Sequence, residues 1–118
     1  MKRREFLSGM ASLTLAPLLA PQIALAFDNH VAMAIAETRK AIAYGREPAH
    51  ASSFEQHMDN AIDHAMMAEK ANPNAHTKRA IVYLRKGRKV AYRTHMFSRT
   101  QRGAALATKA LNQLEAAQ

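Results

Sequence analysis

The 118-residue sequence contains no cysteine. That excludes disulfides, thiolate metal sites, iron–sulfur clusters and covalently attached c-type haem. Stability must therefore come from packing or from a bound ligand. Acidic residues are almost missing from the second half. Residues 75–118 hold one Asp or Glu against ten Lys or Arg, net +9, whereas residues 27–74 hold seven against four, net −3. Runs of β-branched residues are few, so no strand pattern competes with the Ala, Leu, Met, Glu, Lys and Arg that favour helix. The chain shows no nucleophile with an oriented base, no paired carboxylates for acid–base work and no Glu-x-x-His di-iron set. It is read as a non-enzyme.

The chain opens MKRREFLSGMASLTLAPLLAPQIALAF. A charged start, Lys2-Arg3-Arg4-Glu5, precedes an apolar stretch ending in Ala24-Leu25-Ala26. This is the form of a signal peptide, residues 1–26, cut before Phe27. The stretch is short and holds Pro17 and Pro21, which argues against a permanent membrane helix. Arg3-Arg4-Glu5-Phe6-Leu7 resembles the twin-arginine export signal, with Lys2 where that motif prefers Ser or Thr. The resemblance implies export of a folded protein into a bacterial periplasm. It also implies a class of cargo that often carries a metal or cofactor. Export argues against nucleic acid as the partner of the basic half. That half reads as a solvated helix face complementing the acidic half, with weak adhesion to anionic surfaces as a secondary role.

Residues 27–118 suit one small domain. Asp28 or Asn29 is expected to cap a first helix, about 30–45, ending at Gly45 and Pro48. Ser52-Ser53-Phe54-Glu55 reads as a capping box opening a second helix, about 53–71. Asn72-Pro73-Asn74 breaks the chain, with Asn74 as cap of a third helix, about 75–93. Ser98-Arg99-Thr100-Gln101 reads as a second capping box, opening a fourth helix to about 116. Short connections predict an all-α, up-down-up-down four-helix bundle. The halves also look related: HVAMAIAETRK from His30 and HTKRAIVYLRK from His76 align at an offset of 46. This suggests a duplicated helical hairpin, with about four residues inserted near the start of helix four.

Histidines are the residues that stand out. His50, His57 and His64 recur every seven residues, close to two helical turns, so they share one side of helix two. The apolar arc of that helix is Phe54, Met58, Ala61, Ala65 and Ala68, and the histidines lie at its edge. If helices one and two pair antiparallel around a loop near residue 47, opposed residues have index sums of 94. His30 then faces His64, Glu37 faces His57, and Tyr44 faces His50. His76 opens helix three at the end of the bundle that holds His30 and His64, and Gln113 of helix four is expected to complete that end. His30, His64 and His76 would together suit Cu(II), Ni(II) or Zn(II). His57 with Glu37 is a second candidate site, and His50 with His95, both beside loops, a third.

These features resemble the small metal-binding proteins of the bacterial periplasm. The matching stretches are His30-Val31, Ala34, Lys40-Ala41, Tyr44-Gly45, His50, His57, Ala61-Ile62, His64-Ala65, Ala68, His76, Ala80-Ile81 and the tail Ala107-Thr108-Lys109-Ala110-Leu111 with Leu114. The resemblance covers nearly all of 30–116. It implies a duplicated four-helix bundle that binds several divalent ions, copper prominently. The family pattern favours histidine at positions 37, 44, 83, 106 and 113, where this chain has Glu37, Tyr44, Tyr83, Leu106 and Gln113. Fewer sites are therefore expected, concentrated on the acidic first hairpin.

The leading expectation is a periplasmic protein that buffers or scavenges copper, with nickel or zinc as other cargo, on neutral imidazoles. Protons should compete for those nitrogens as pH falls toward the usual imidazole range near 6.5. One alternative is a metal-free adaptor bundle gripping an acidic partner through its basic second hairpin. Another is a haem-binding electron-transfer bundle, which is disfavoured because residues 98–118 offer neither His nor Met as an axial ligand. Met33, Met58, Met66, Met67 and Met96 are expected to fill gaps in an alanine-rich core rather than bind Cu(I). The Arg85-Lys86-Gly87-Arg88-Lys89 run is expected to be a solvated face.

Overall fold

The computed structural model describes residues 15–118, with side-chain environments from residue 25. The twin-arginine segment lies outside the described residues. Four helices follow one another: α1 (Leu15–Gly45), α2 (Ala51–Ala71), α3 (Ala75–Val90) and α4 (Phe97–Ala116). Each packs on its neighbours in chain order, and α4 closes against α1. This is the all-α, up-down-up-down bundle. Among the described residues no helix is long and apolar enough to cross a membrane.

Small side chains set the packing. Phe54, Met58, Ala61, Ala65 and Ala68 of α2 are fully buried, as their spacing predicts. Val31, Ala34 and Ala41 of α1, Leu84 of α3 and Ala107, Ala110 and Leu114 of α4 join them. Three glycines let the largest of these side chains in. A Cβ on Gly45 would stand 2.8 Å from Phe54 Cδ1, and one on Gly103 would stand 2.7 Å from Phe54 Cζ. The aromatic ring thus wedges between the end of α1 and the start of α4. A Cβ on Gly87 would meet the Gly103 carbonyl oxygen at 2.9 Å, so α3 and α4 touch backbone to backbone there. Gly87 is a core contact hidden inside the charged run, whose Arg85, Lys86 and Lys89 are exposed as expected.

The helix starts differ from three expectations. α1 runs straight through Asp28 and Asn29, both exposed, so neither caps it. The helix continues because Phe27 is drawn into the core, at 5% exposure. Neither capping box forms: α2 is preceded by His50 and α4 by Met96, without a side-chain cap at either. Both helices begin before their serines, which places Ser52 and Ser98 inside the first turn. Glu55 instead accepts from the Arg93 backbone N–H at 2.5 Å, tying the start of α2 to the α3/α4 loop. α3 starts as expected: the Asn74 side chain accepts from the backbone N–H groups of His76 at 2.8 Å and Thr77 at 3.2 Å.

Ion pairs partly join the acidic and basic halves. Arg88 grips Asp59 through two nitrogens, and Lys78 approaches Glu69 at 3.5 Å. Arg39 reaches Glu115 at 2.8 Å in the opposite sense. The methionines depart from expectation. Only Met58 of the five fills the core, while Met33, Met66, Met67 and Met96 are exposed. Alanine close packing leaves no gaps for them.

Candidate metal centre

The α1/α2 seam carries the ladder at the expected register. At the first rung the His30 and His64 Nδ1 atoms are 3.2 Å apart, with rings stacked at 5.4 Å between centroids. At the second, the His57 Nδ1–H donates to Glu37 Oε1 at 2.7 Å. At the third, the Tyr44 and His50 rings are 5.4 Å apart, and Tyr44 also stacks on His57 at 5.4 Å. Successive rungs are separated by about 10 Å, seven residues at 1.5 Å each. His30, His57 and His64 are half-buried and His50 is exposed, so the imidazoles line the core's edge.

The first rung has a geometry that a metal ion can use. Metal–imidazole bonds of about 2.0–2.1 Å with ligand atoms 3.2 Å apart subtend an angle of about 100–105°. That is close to the angle between two corners of a tetrahedron. Without metal, one ring must hold a proton on Nδ1 and donate it to the other. Binding therefore requires that ring to carry its proton on Nε2 instead, so that both Nδ1 lone pairs are free for the ion.

The second rung works differently. Glu37 accepts from His57 and, at 3.2 Å, from the Asn60 side-chain amide, with Lys40 at 3.5 Å. Burial pushes the Glu37 carboxyl up, but these hydrogen bonds and the Lys40 and His57 charges outweigh it and leave the carboxyl below its usual range. With Nδ1–H committed to Glu37, the free nitrogen of His57 is Nε2. The carboxylate then orients the ring and fixes its tautomer.

The other expected sites are not gathered in this way. His76 does not join His30 and His64: its Nδ1–H donates to Gln113 Oε1 at 2.9 Å, on the α3/α4 seam. The reason is the α2/α3 register. Lys78 with Glu69 and Arg88 with Asp59 both have index sums of 147, which places His76 level with Ala71, about 10 Å along α2 from His64. The His76–Gln113 pair is nevertheless the counterpart of His30–His64. Its offsets of 46 and 49 put the inserted length at three residues rather than four. His50 lies 3.6 Å from Glu47. His95, exposed, lines a cavity of about 560 Å³ with Glu55, Arg93 and Met96. No hydrogen bond or ring contact joins His50 and His95 among the described residues. Nor do three or more His, Asp or Glu side chains gather around one point among those residues. The ladder is built of pairs.

Sequence reasoning passed over Asn60, which holds Glu37, and Glu47 beside His50. Each lies three residues from a rung residue, Asn60 along α2 from His57 and Glu47 in the loop before His50, and that spacing was the available signal. Compared with family models, curated proteins and solved structures, the chain matches none.

Proposed function

We propose that this chain is a non-enzymatic metal-binding protein of the bacterial periplasm that buffers or scavenges divalent ions, copper foremost. The observation that carries the reading is the His30–His64 pair, two imidazole nitrogens from different helices held at a chelating separation. Imidazole suits copper, nickel and zinc. With two protein ligands and the remaining positions left to water, an ion exchanges readily, as a buffer requires. His57, with its Nε2 free and Glu37 behind it, adds a weaker position. His50 beside Glu47 and His76 beside Gln113 offer single imidazoles, and His95 another. The resemblance to the periplasmic small metal-binding proteins supports the same assignment.

Calorimetric titration with Cu(II), Ni(II) and Zn(II) at pH 7.5 tests it. The expected result is copper binding at micromolar or tighter affinity, weakened at least about tenfold in His64→Ala. A melting temperature indifferent to saturating copper would refute binding to the folded state, because a ligand of the native state must raise it.

A further inference from the structure

Met33 and Met67 are 43% and 48% exposed, although methionine is normally a core residue. Each lies three residues beyond a first-rung histidine: Met33 after His30, Met67 after His64. Because α1 and α2 run antiparallel, a local two-fold axis through the rung exchanges the two histidines and exchanges the two methionines. One methionine is displaced about 4.5 Å along the bundle in each direction from the rung.

The structure shows what residues at these outer positions do elsewhere. Seven residues along α1 from Met33 is Lys40, and seven residues back along α2 from Met67 is Asn60. Both reach their own rung, at Glu37 Oε2 and Oε1 respectively. The second hairpin repeats the pattern at one position. Lys109 lies three residues beyond Leu106, the position opposite Tyr83, and its ammonium stands 5.9 Å from the Tyr83 ring centroid. At these three positions the outer residue folds back over the adjacent rung. At the first rung the outer residues are two unbranched thioethers with three rotatable side-chain bonds each.

We infer that His30, His64, Met33 and Met67 form a two-nitrogen, two-sulfur site for a soft monovalent ion, Cu(I) or its redox-inert analogue Ag(I). The inference takes the same rung as the reading above and adds a second oxidation state of its cargo. The imidazoles supply two corners of a tetrahedron, and the thioethers, which favour soft ions, close the other two. Cu(II) needs only the imidazoles. The methionines therefore distinguish the two oxidation states.

The test compares the unaltered protein with Met33→Leu/Met67→Leu, which keeps apolar bulk and helix propensity at exposed positions. Ag(I) and Cu(II) are titrated separately. The expected result is a loss of about tenfold or more in Ag(I) affinity, unchanged Cu(II) affinity and unchanged helicity. Equal Ag(I) affinity in both proteins overturns the inference and leaves the divalent reading standing. Methionine-dependent Ag(I) binding without any Cu(II) binding does the reverse. Methyl-labelled methionine spectra of the unaltered protein give a second readout. Ag(I) should shift the Met33 and Met67 methyls and leave the buried Met58 unmoved, and stationary Met33 and Met67 signals would overturn the site.

Discussion

Glu37 of α1 and His57 of α2 are joined by a 2.7 Å hydrogen bond across the seam of the first hairpin. The pair is half-buried, and Asn60 and Lys40 bind the same carboxylate. It is the best-connected polar cluster on the ladder, and it ties pH to stability.

The Glu37 carboxyl titrates below its ordinary value of 4.5 because its partners outweigh burial. A carboxyl depressed on folding contributes stability that is present above its unfolded value and is lost as pH falls through its folded value. The melting temperature should therefore decline below about pH 4.5. Glu37→Gln should lower stability at neutral pH and flatten that acid limb. Thermal melts across pH 3–7 on both proteins check this; parallel curves would show that another group is responsible.

Tyr44 is packed 5.4 Å from both His50 and His57, centroid to centroid. Tyr44→His places a third imidazole between two existing ones. It should add about one copper equivalent or tighten the weakest position about tenfold. The stoichiometry from calorimetry decides, and an unchanged isotherm would mean that the third rung is too open to chelate.

Gly87→Ala opposes two physical effects. Helix propensity favours alanine by about 1 kcal/mol. Against this, the new Cβ would stand 2.9 Å from the Gly103 carbonyl oxygen, and backbone cannot yield as a side chain does. Overpacking of about 1–3 kcal/mol should win, so the variant should unfold at lower urea. Phe54→Ala, which empties the wedge between Gly45 and Gly103, should cost about 3–5 kcal/mol in the same assay.

Asn74→Ala should destabilise by about 1 kcal/mol, because Asn74 satisfies two first-turn amides of α3. Ser52→Ala and Ser98→Ala should cost only a few tenths, since neither serine caps its helix. Urea midpoints of the three variants separate the cap that forms from the two that do not.

Helix number, order and the α1/α2 register were legible in the sequence because they rest on local signals. Gly45, Pro48 and Pro73 punctuate the chain, and a short loop leaves an antiparallel hairpin only one compact pairing. His30, His57 and Tyr44 found their partners for that reason. The placement of His76 was not legible. It depends on how α2 slides on α3, which the Asp59–Arg88 and Glu69–Lys78 pairs reveal only in three dimensions. The Ser-x-x-Glu and Ser-x-x-Gln patterns misled because Ala51 and Phe97 already begin their helices. The exposure of Met33 and Met67 was hidden for a related reason. An alanine-rich core draws its helices so close that little room remains for long side chains, and composition alone does not report that distance.

The spacing of the rungs has a consequence for uptake. At about 10 Å, successive rungs stand more than one Debye length apart, roughly 8 Å at physiological ionic strength, so solvent around these part-exposed side chains attenuates charge between them. On the metal-binding reading proposed above, an ion on one rung would add reduced repulsion to the next, and each position would fill mainly according to its own affinity. Unequal rungs of this kind give shallow, graded occupancy over a wide range of free ion rather than a sharp threshold. Such a curve holds a free concentration steady and does not signal it.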